Sequence, residues 1–199
     1  MSTRRAQQKQ ENRAKLMAAA RKVFAEKGLG AATARDIVRE TDLATGTFYN
    51  YFDDKEDCFR TLLSEFTAEA RAAAREKRLQ PGISLEDRIR DAYRAYFELV
   101  VADPEMFEVL RRNADAIAML GGEHLFDEAA AEFAEDMAAW VAEGQLPAAI
   151  GPWLPYVARS VAGAAFQVAA QMADQGDSDV DAAADFCARV LLDGLRGFG

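Results

Sequence analysis

The chain has 199 residues, half of them apolar and 29% charged, with 33 acidic against 24 basic side chains and a formal net charge of −9. That length and apolar share suffice to bury a core without cross-links. Cys58 and Cys187 lie far apart with no histidine or second cysteine at ligand spacing, which argues against a zinc site or a disulfide framework and fits a reducing compartment.

No stretch approaches the apolar length of a membrane span, and the basic N-terminus has no apolar run behind it, so neither a membrane partner nor a signal peptide is expected. The expectation is a soluble, cytoplasmic protein. The net charge conceals an asymmetry: residues 1–60 hold twelve Lys/Arg against nine Asp/Glu, whereas residues 61–199 hold twelve against twenty-four. Such a split points to two parts with different partners. The segment with Arg4, Arg5, Lys9, Arg13 and Lys15 reads either as a solvated tail or as a contact for an anion.

Apolar residues recur at helical spacing almost throughout. Leu16, Ala20, Val23, Phe24 and Lys27 share one face of a first helix that Gly28 and Gly30 close. Thr33 with Asp36 predicts a capped start for a short second helix through Ile37 and Val38. A turn at Thr41 and Asp42 leads into ATGTFYNYFDDKED, residues 44–57. Asp53 and Asp54 then cap a longer helix with Phe59, Leu62, Leu63 and Phe66 on its apolar stripe, and its end, EARAAAREKR, is polar enough to stand partly in solvent. After Gln80, Pro81 and Gly82, Ser84 restarts helix with Ile89, Ala92, Tyr93, Tyr96, Phe97 and Val100. Asp103 before Pro104 opens a short helix through Met106, Phe107 and Leu110 that ends at Gly121 and Gly122. Helices over residues 123–143, 152–174 and 179–197 complete an all-α chain of about nine helices.

Within residues 44–57, a strand would place Asn50 between Phe48 and Phe52 on one face. A helix instead turns Phe48, Tyr51 and Phe52 inward and leaves Thr45, Gly46, Thr47, Tyr49 and Asn50 outward, with a glycine that permits close approach. Two short helices with such a polar surface meet the requirement for reading a DNA major groove; a helical hairpin with a solvated polar face is the other reading. Lys55, in the first turn of the next helix, opposes that helix's dipole, which points to an anion at this position.

The run ATARDIVRETDLATGTFYNYFDDKED, with VFAEKGLGAAT before it, resembles the N-terminal domain of the TetR family of bacterial transcriptional regulators over about residues 12–60. The resemblance implies a three-helix helix-turn-helix head in residues 1–60 and an effector-binding and dimerisation domain in residues 61–199. It implies Thr33 on a phosphate, Arg35 on a phosphate or guanine edge, and Thr45, Gly46, Thr47 and Asn50 at the groove floor. Tyr49 and Tyr51 would meet the flanking backbone, and Lys55 a phosphate. Asn50 departs from the larger residue many relatives carry, which leaves its base preference open.

The acidic remainder is rich in aromatic and methionine side chains broken by Gly and Pro, a pattern that fits a pocket between helices. The expected lining is Tyr93, Phe97, Phe107, Leu110, Phe126, Trp140, Phe166 and Met172, and the expected ligand is a small lipophilic effector, with no other cofactor and no metal. Ala158, Ala162, Ala165 and Ala169 with Val190, Leu191 and Leu195 would either complete a monomer's core or form the seam of a homodimer, which would place two heads on half-sites roughly 34–36 Å apart or a multiple of that. The implied activity is that of a repressor on a pseudo-palindromic operator, released by its effector, or of a regulator whose ligand tightens DNA binding.

Two rivals come from other classes. An enzyme would need a catalytic constellation, and the chain has one histidine, His124, and none of the common nucleophile, zinc or nucleotide motifs. A helical adaptor would leave the outward Thr, Tyr and Asn groups without a task. The expectation is a DNA-binding regulator, not an enzyme.

Overall fold

The computed structural model describes residues 2–119, 127–175 and 179–198. Ten α-helices and a 3₁₀ segment lie among them, with no strand. They are α1 (Ser2–Ala31), α2 (Ala34–Arg39), α3 (Thr45–Phe48), α4 (Lys55–Arg78), α5 (Leu85–Ala102), α6 (Pro104–Arg112), α7 (Ala114–Met119), α8 (Asp127–Ala142), the 3₁₀ segment (Ala148–Trp153), α9 (Leu154–Gln175) and α10 (Val180–Arg196). The tenth helix arises because the segment after Pro104 divides at Asn113 into α6 and α7, where sequence spacing predicts one helix. Gly121, Gly122 and His124 lie outside the described residues.

The chain divides into two compact units, Met1–Phe66 with Glu105–Leu120, and Thr67–Pro104 with Gly121–Gly199. In the first, Leu16, Ala20, Val23 and Phe24 of α1 are buried together with Ile37 and Val38 of α2, Phe48, Phe52 and Phe59. Phe24 meets Phe59 edge-on with ring centroids 5.1 Å apart, an arrangement aromatic rings favour. Lys27, placed by spacing on this apolar face, is exposed and pairs with Asp36 at 2.8 Å. The regular part of α1 ends at Gly28, as the spacing predicts: Gly28 has φ 74° and ψ 160°, and a separate turn follows to Ala31. Only glycine holds that positive φ without strain.

In the second unit α5 packs against α10, and α8 against α9. Ser84 caps α5 by accepting the Asp87 N–H at 3.0 Å, and Asp179 caps α10 by accepting the Ala182 N–H, also at 3.0 Å. The polar end of α4 is not simply solvated. Arg71 pairs with Glu128 and Glu132 of α8, and Arg78 Nε donates to Asp136 Oδ2 at 2.8 Å with both side chains under a tenth exposed. The Arg78 guanidinium lies 5.2 Å from the centre of the Phe133 ring, so an aromatic face covers part of the charge.

Removing one member of a buried pair leaves the other charge without compensation. Asp136→Asn should therefore destabilise the fold by about 3 to 5 kcal/mol. Replacing Arg78 and Asp136 together by Met and Leu should cost far less. Urea unfolding followed by circular dichroism compares the two.

Candidate nucleic-acid interface

The entrance to α2 is a closed polar box. Thr33 Oγ1 accepts the Asp36 N–H at 3.1 Å, and Asp36 Oδ2 accepts the Thr33 N–H at 3.0 Å. The Thr33 hydroxyl also donates to Asp36 Oδ2 at 2.6 Å, and Lys27 Nζ donates to Oδ1 at 2.8 Å. The Lys27 hydrogen bond, then that of Thr33, lowers the Asp36 carboxyl from 3.8 to about 2. Both Thr33 donors are thus engaged in fixing the helix start. Arg35, the second residue of α2, is left exposed.

The turn to α3 is tied through Thr41, whose hydroxyl donates to the Val38 carbonyl at 2.8 Å and accepts the Leu43 N–H at 3.1 Å. Lys15 of α1 reaches both Asp42 oxygens at 2.9 Å, and Lys22 reaches Glu40 at 2.6 Å. Helix α3 covers only Thr45–Phe48, shorter than the predicted coil over TFYNYF. The backbone nevertheless keeps turning: Asn50 N–H bonds Thr47 O at 3.1 Å, Tyr51 N–H bonds Phe48 O at 3.0 Å and Phe52 N–H bonds Phe48 O at 3.1 Å. These tighter bonds are a common way for a short helix to end.

Phe48 is fully buried and Phe52 nearly so, their ring centroids 5.4 Å apart, and together they anchor the segment. The anchor turns its neighbours outward. Thr45, Gly46 and Asn50 are exposed, Tyr49 is 59% exposed, and Thr47 and Tyr51 are half-buried. Tyr51 therefore does not join the two phenylalanines inside, because the turn after Phe48 rotates it away from them. A Cβ at Gly46 would meet nothing within 4 Å, so the head itself does not need glycine there and a partner's backbone has room to approach.

Lys55 is the first residue of α4, and Asp54 caps that helix by accepting the Asp57 N–H at 2.6 Å. Its ammonium donates to the carbonyls of Leu29 at 2.8 Å, Gly30 at 3.3 Å and Ala32 at 2.9 Å. An ammonium has three N–H donors, and three carbonyls at the end of α1 receive them. The negative partner implied by a lysine against its own helix dipole is supplied here by the negative pole of another helix. Spacing within residues 44–57 gives no sign of this, because the acceptors lie more than twenty positions upstream.

Other predicted site residues fall as follows. Tyr93, Phe97 and Trp140 are buried in the second unit, with Tyr93 stacked on Phe97 at 6.0 Å and Trp140 beside Phe133 at 6.0 Å. Burial raises the hydroxyl pKa of Tyr93 and Tyr96 above its usual value. Phe166 and Met172 are half-buried. Phe107 and Leu110 are buried in the first unit. Phe126 lies outside the described residues. Of the predicted seam, Ala158, Ala169 and Leu195 are already covered within the chain and cannot add contact area, because they lie on the inner faces of α9 and α10. Ala162, Ala165 and Leu191 are half-buried, and Val190 is 60% exposed. Phe186, which spacing places with Val190, Leu191 and Leu195 on the last helix, is exposed, as are Trp153 and Tyr156, which spacing does not single out. Among the described residues no group of three or more His, Cys, Asp or Glu could hold a metal ion, and burial pushes the Cys58 thiol up to about 12.

Residues 16–62 match the model of bacterial regulatory proteins of the tetR family. Residues 16–62 thus carry the DNA-binding head of that family of transcriptional regulators. It is 28% identical over 102 residues to the uncharacterised HTH-type transcriptional regulator YdgC of Bacillus subtilis (strain 168), covering 50% of this chain and 52% of that protein. It is 27% identical over 117 residues to YfiR of the same strain, an uncharacterised regulator of the same type, covering 59% and 51%. The chain thus spans about half the length of the curated relatives it matches. Among solved structures, the fatty acid degradation regulator FadR from Bacillus halodurans superposes with a TM-score of 0.79 at 20% identity, over 92% of this chain and 96% of that one. FadR from Bacillus subtilis, solved in complex with stearoyl-CoA, gives 0.78 at 16% identity, over 91% and 98%. These likenesses show that the chain has the fold of these regulators.

Two outcomes test the head's frame. Lys55→Met should lower its stability by about 1 to 3 kcal/mol, the usual cost of leaving buried polar groups unpaired, while the salt dependence of DNA affinity stays as in the wild type. Urea melts and binding isotherms at several salt concentrations read the two quantities. The depressed Asp36 carboxyl contributes stability above its unfolded pKa near 3.8 and loses it as pH falls toward about 2. Asp36→Asn should flatten the pH dependence of unfolding across that window, measured by circular dichroism.

Proposed function

We propose that the chain is a transcriptional repressor that binds a pseudo-palindromic duplex operator as a homodimer and leaves it on binding a small lipophilic effector. The observation that carries this reading is the outward polar surface around α3, held over the buried Phe48 and Phe52, with unobstructed space at Gly46. Thr45, Thr47 and Asn50 offer hydroxyl and amide groups to base edges, Arg35 offers a guanidinium, and Tyr49 and Tyr51 reach the flanking backbone. Thr33 and Lys55 act on DNA through the frame they hold.

The dimer seam runs along the exposed side of α9 and α10, where Tyr156, Phe186 and Val190, with Trp153 just before α9, present large apolar side chains to solvent. Such a patch calls for a partner surface, and a second copy meets it with the same patch. Tyr93, Phe97, Trp140, Phe166 and Met172 of the second unit are assigned to the effector. The stearoyl-CoA bound by a structural neighbour supports a lipophilic ligand class. No helix among the described residues is long and apolar enough to cross a membrane, which fits a regulator at work in the cytoplasm.

Selection of duplexes from a random pool by the purified protein tests DNA recognition. A selected pseudo-palindrome is expected, and failure to enrich any sequence overturns the reading. On that duplex Thr47→Ala and Asn50→Ala should each lose about 1 to 3 kcal/mol of discrimination at a single base pair. Sedimentation tests the dimer: Val190→Asp places an unpaired carboxylate in the seam and should yield monomers. Adding a long-chain acyl-CoA should weaken operator binding by about 1 to 3 kcal/mol of coupling. Saturable binding of that ligand with unchanged operator affinity rejects release.

A further inference from the structure

The break at Gly28 frees part of the α1 backbone from its own ladder inside the first unit. The Leu29 N–H is taken up by a side chain 84 positions away: it donates to Asn113 Oδ1 at 2.5 Å. The same amide donates through Nδ2 to the Val109 carbonyl at 2.7 Å and to the Phe24 carbonyl at 3.3 Å. Asn113 is buried, and both its hydrogens and its oxygen are engaged. Arg21 of α1 lies 3.4 Å from Glu105 of α6, a second tie between the same two helices.

Everything the head presents begins at this break. The turn after Gly28 delivers the carbonyls of Leu29, Gly30 and Ala32 to Lys55, and Thr33 follows at once as the cap of α2. Helix α2 leads through the Thr41 turn to α3. A leucine at position 113 would fill a similar volume, but it could not accept the Leu29 N–H and would leave the bend without a fixed direction.

We propose that Asn113 is a positioning residue for DNA reading: it touches no DNA, but it fixes the bend at Gly28 and through it the aim of α2 and α3. The DNA-reading head is then incomplete in residues 1–60 and requires the segment of α6 and α7. This inference rests on the DNA-binding reading above.

The test uses the full chain and a duplex of roughly 30 base pairs, long enough for two half-sites, selected by the wild type, with a scrambled duplex as control. Asn113→Leu should bind the selected duplex about tenfold more weakly, while its affinity for the scrambled duplex and its salt dependence stay unchanged. A residue that merely supports folding would lower both affinities together. Gly28→Ala, strained at positive φ, is an independent variant that should show the same selective loss and keeps the test open if Asn113→Leu does not fold. The double variant should lose no more than the worse single variant, since both act on one bend.

Equal losses on both duplexes, or no loss on either, overturn the assignment. A wild type that enriches no duplex counts against DNA recognition itself. A wild type that enriches one, with variants indistinguishable from it, counts against Asn113 alone.

Discussion

The first unit depends on how a broken helix satisfies its own backbone. A bend in a buried segment strands polar groups, and a fold tolerates it only where each group finds a partner with fixed direction. Here Gly28 supplies the conformation, Asn113 receives the freed amide, and Lys55 gathers the carbonyls of the turn that follows. Lys55 comes from α4 and Asn113 from the junction of α6 and α7, so the bend is defined by tertiary contacts and not by local propensity. The Thr33–Asp36 box then starts the next helix from a fixed point.

The recognition segment follows a complementary logic. Four residues make a helix too short to persist alone, so its geometry must come from burial. Phe48 and Phe52 provide that anchor, and ion pairs from Lys15 and Lys22 hold the turn before it. Rigid support beneath small exposed polar groups suits base-edge recognition, where a modest displacement costs a hydrogen bond.

Local features were legible in the sequence. The Thr33 cap, the Ser84 helix start, Pro104 at a first helical position and the inward turn of Phe48 and Phe52 all depend on neighbours within four residues. What escaped depends on partners far along the chain. Spacing places Lys55 opposite an anion without revealing that carbonyls near residue 30 supply the charge, and no local pattern marks Asn113 as anything but a polar residue in a helix. The polar end of α4 reads as partly solvated, with no sign in its own sequence of the Glu128, Glu132 and Asp136 that α8 sets against its arginines. Likewise, helical period separates two faces of α9 and α10 but does not say which face its own chain covers. Spacing puts Ala158 and Ala169 in the seam where both face inward, and it gives no sign of the exposed Trp153 and Tyr156.

The two tryptophans occupy opposite surroundings. Trp140 is enclosed, with the Arg88 guanidinium 5.7 Å from its ring centre, while Trp153 stands half in water beside Tyr156. Indole emission shifts with the polarity around the ring, so a lone chain would emit as a sum of a blue component from Trp140 and a red one from Trp153. Iodide would quench Trp153 in a lone chain but not under a covering second copy, and would spare Trp140 in both, so the pair reports assembly without any label.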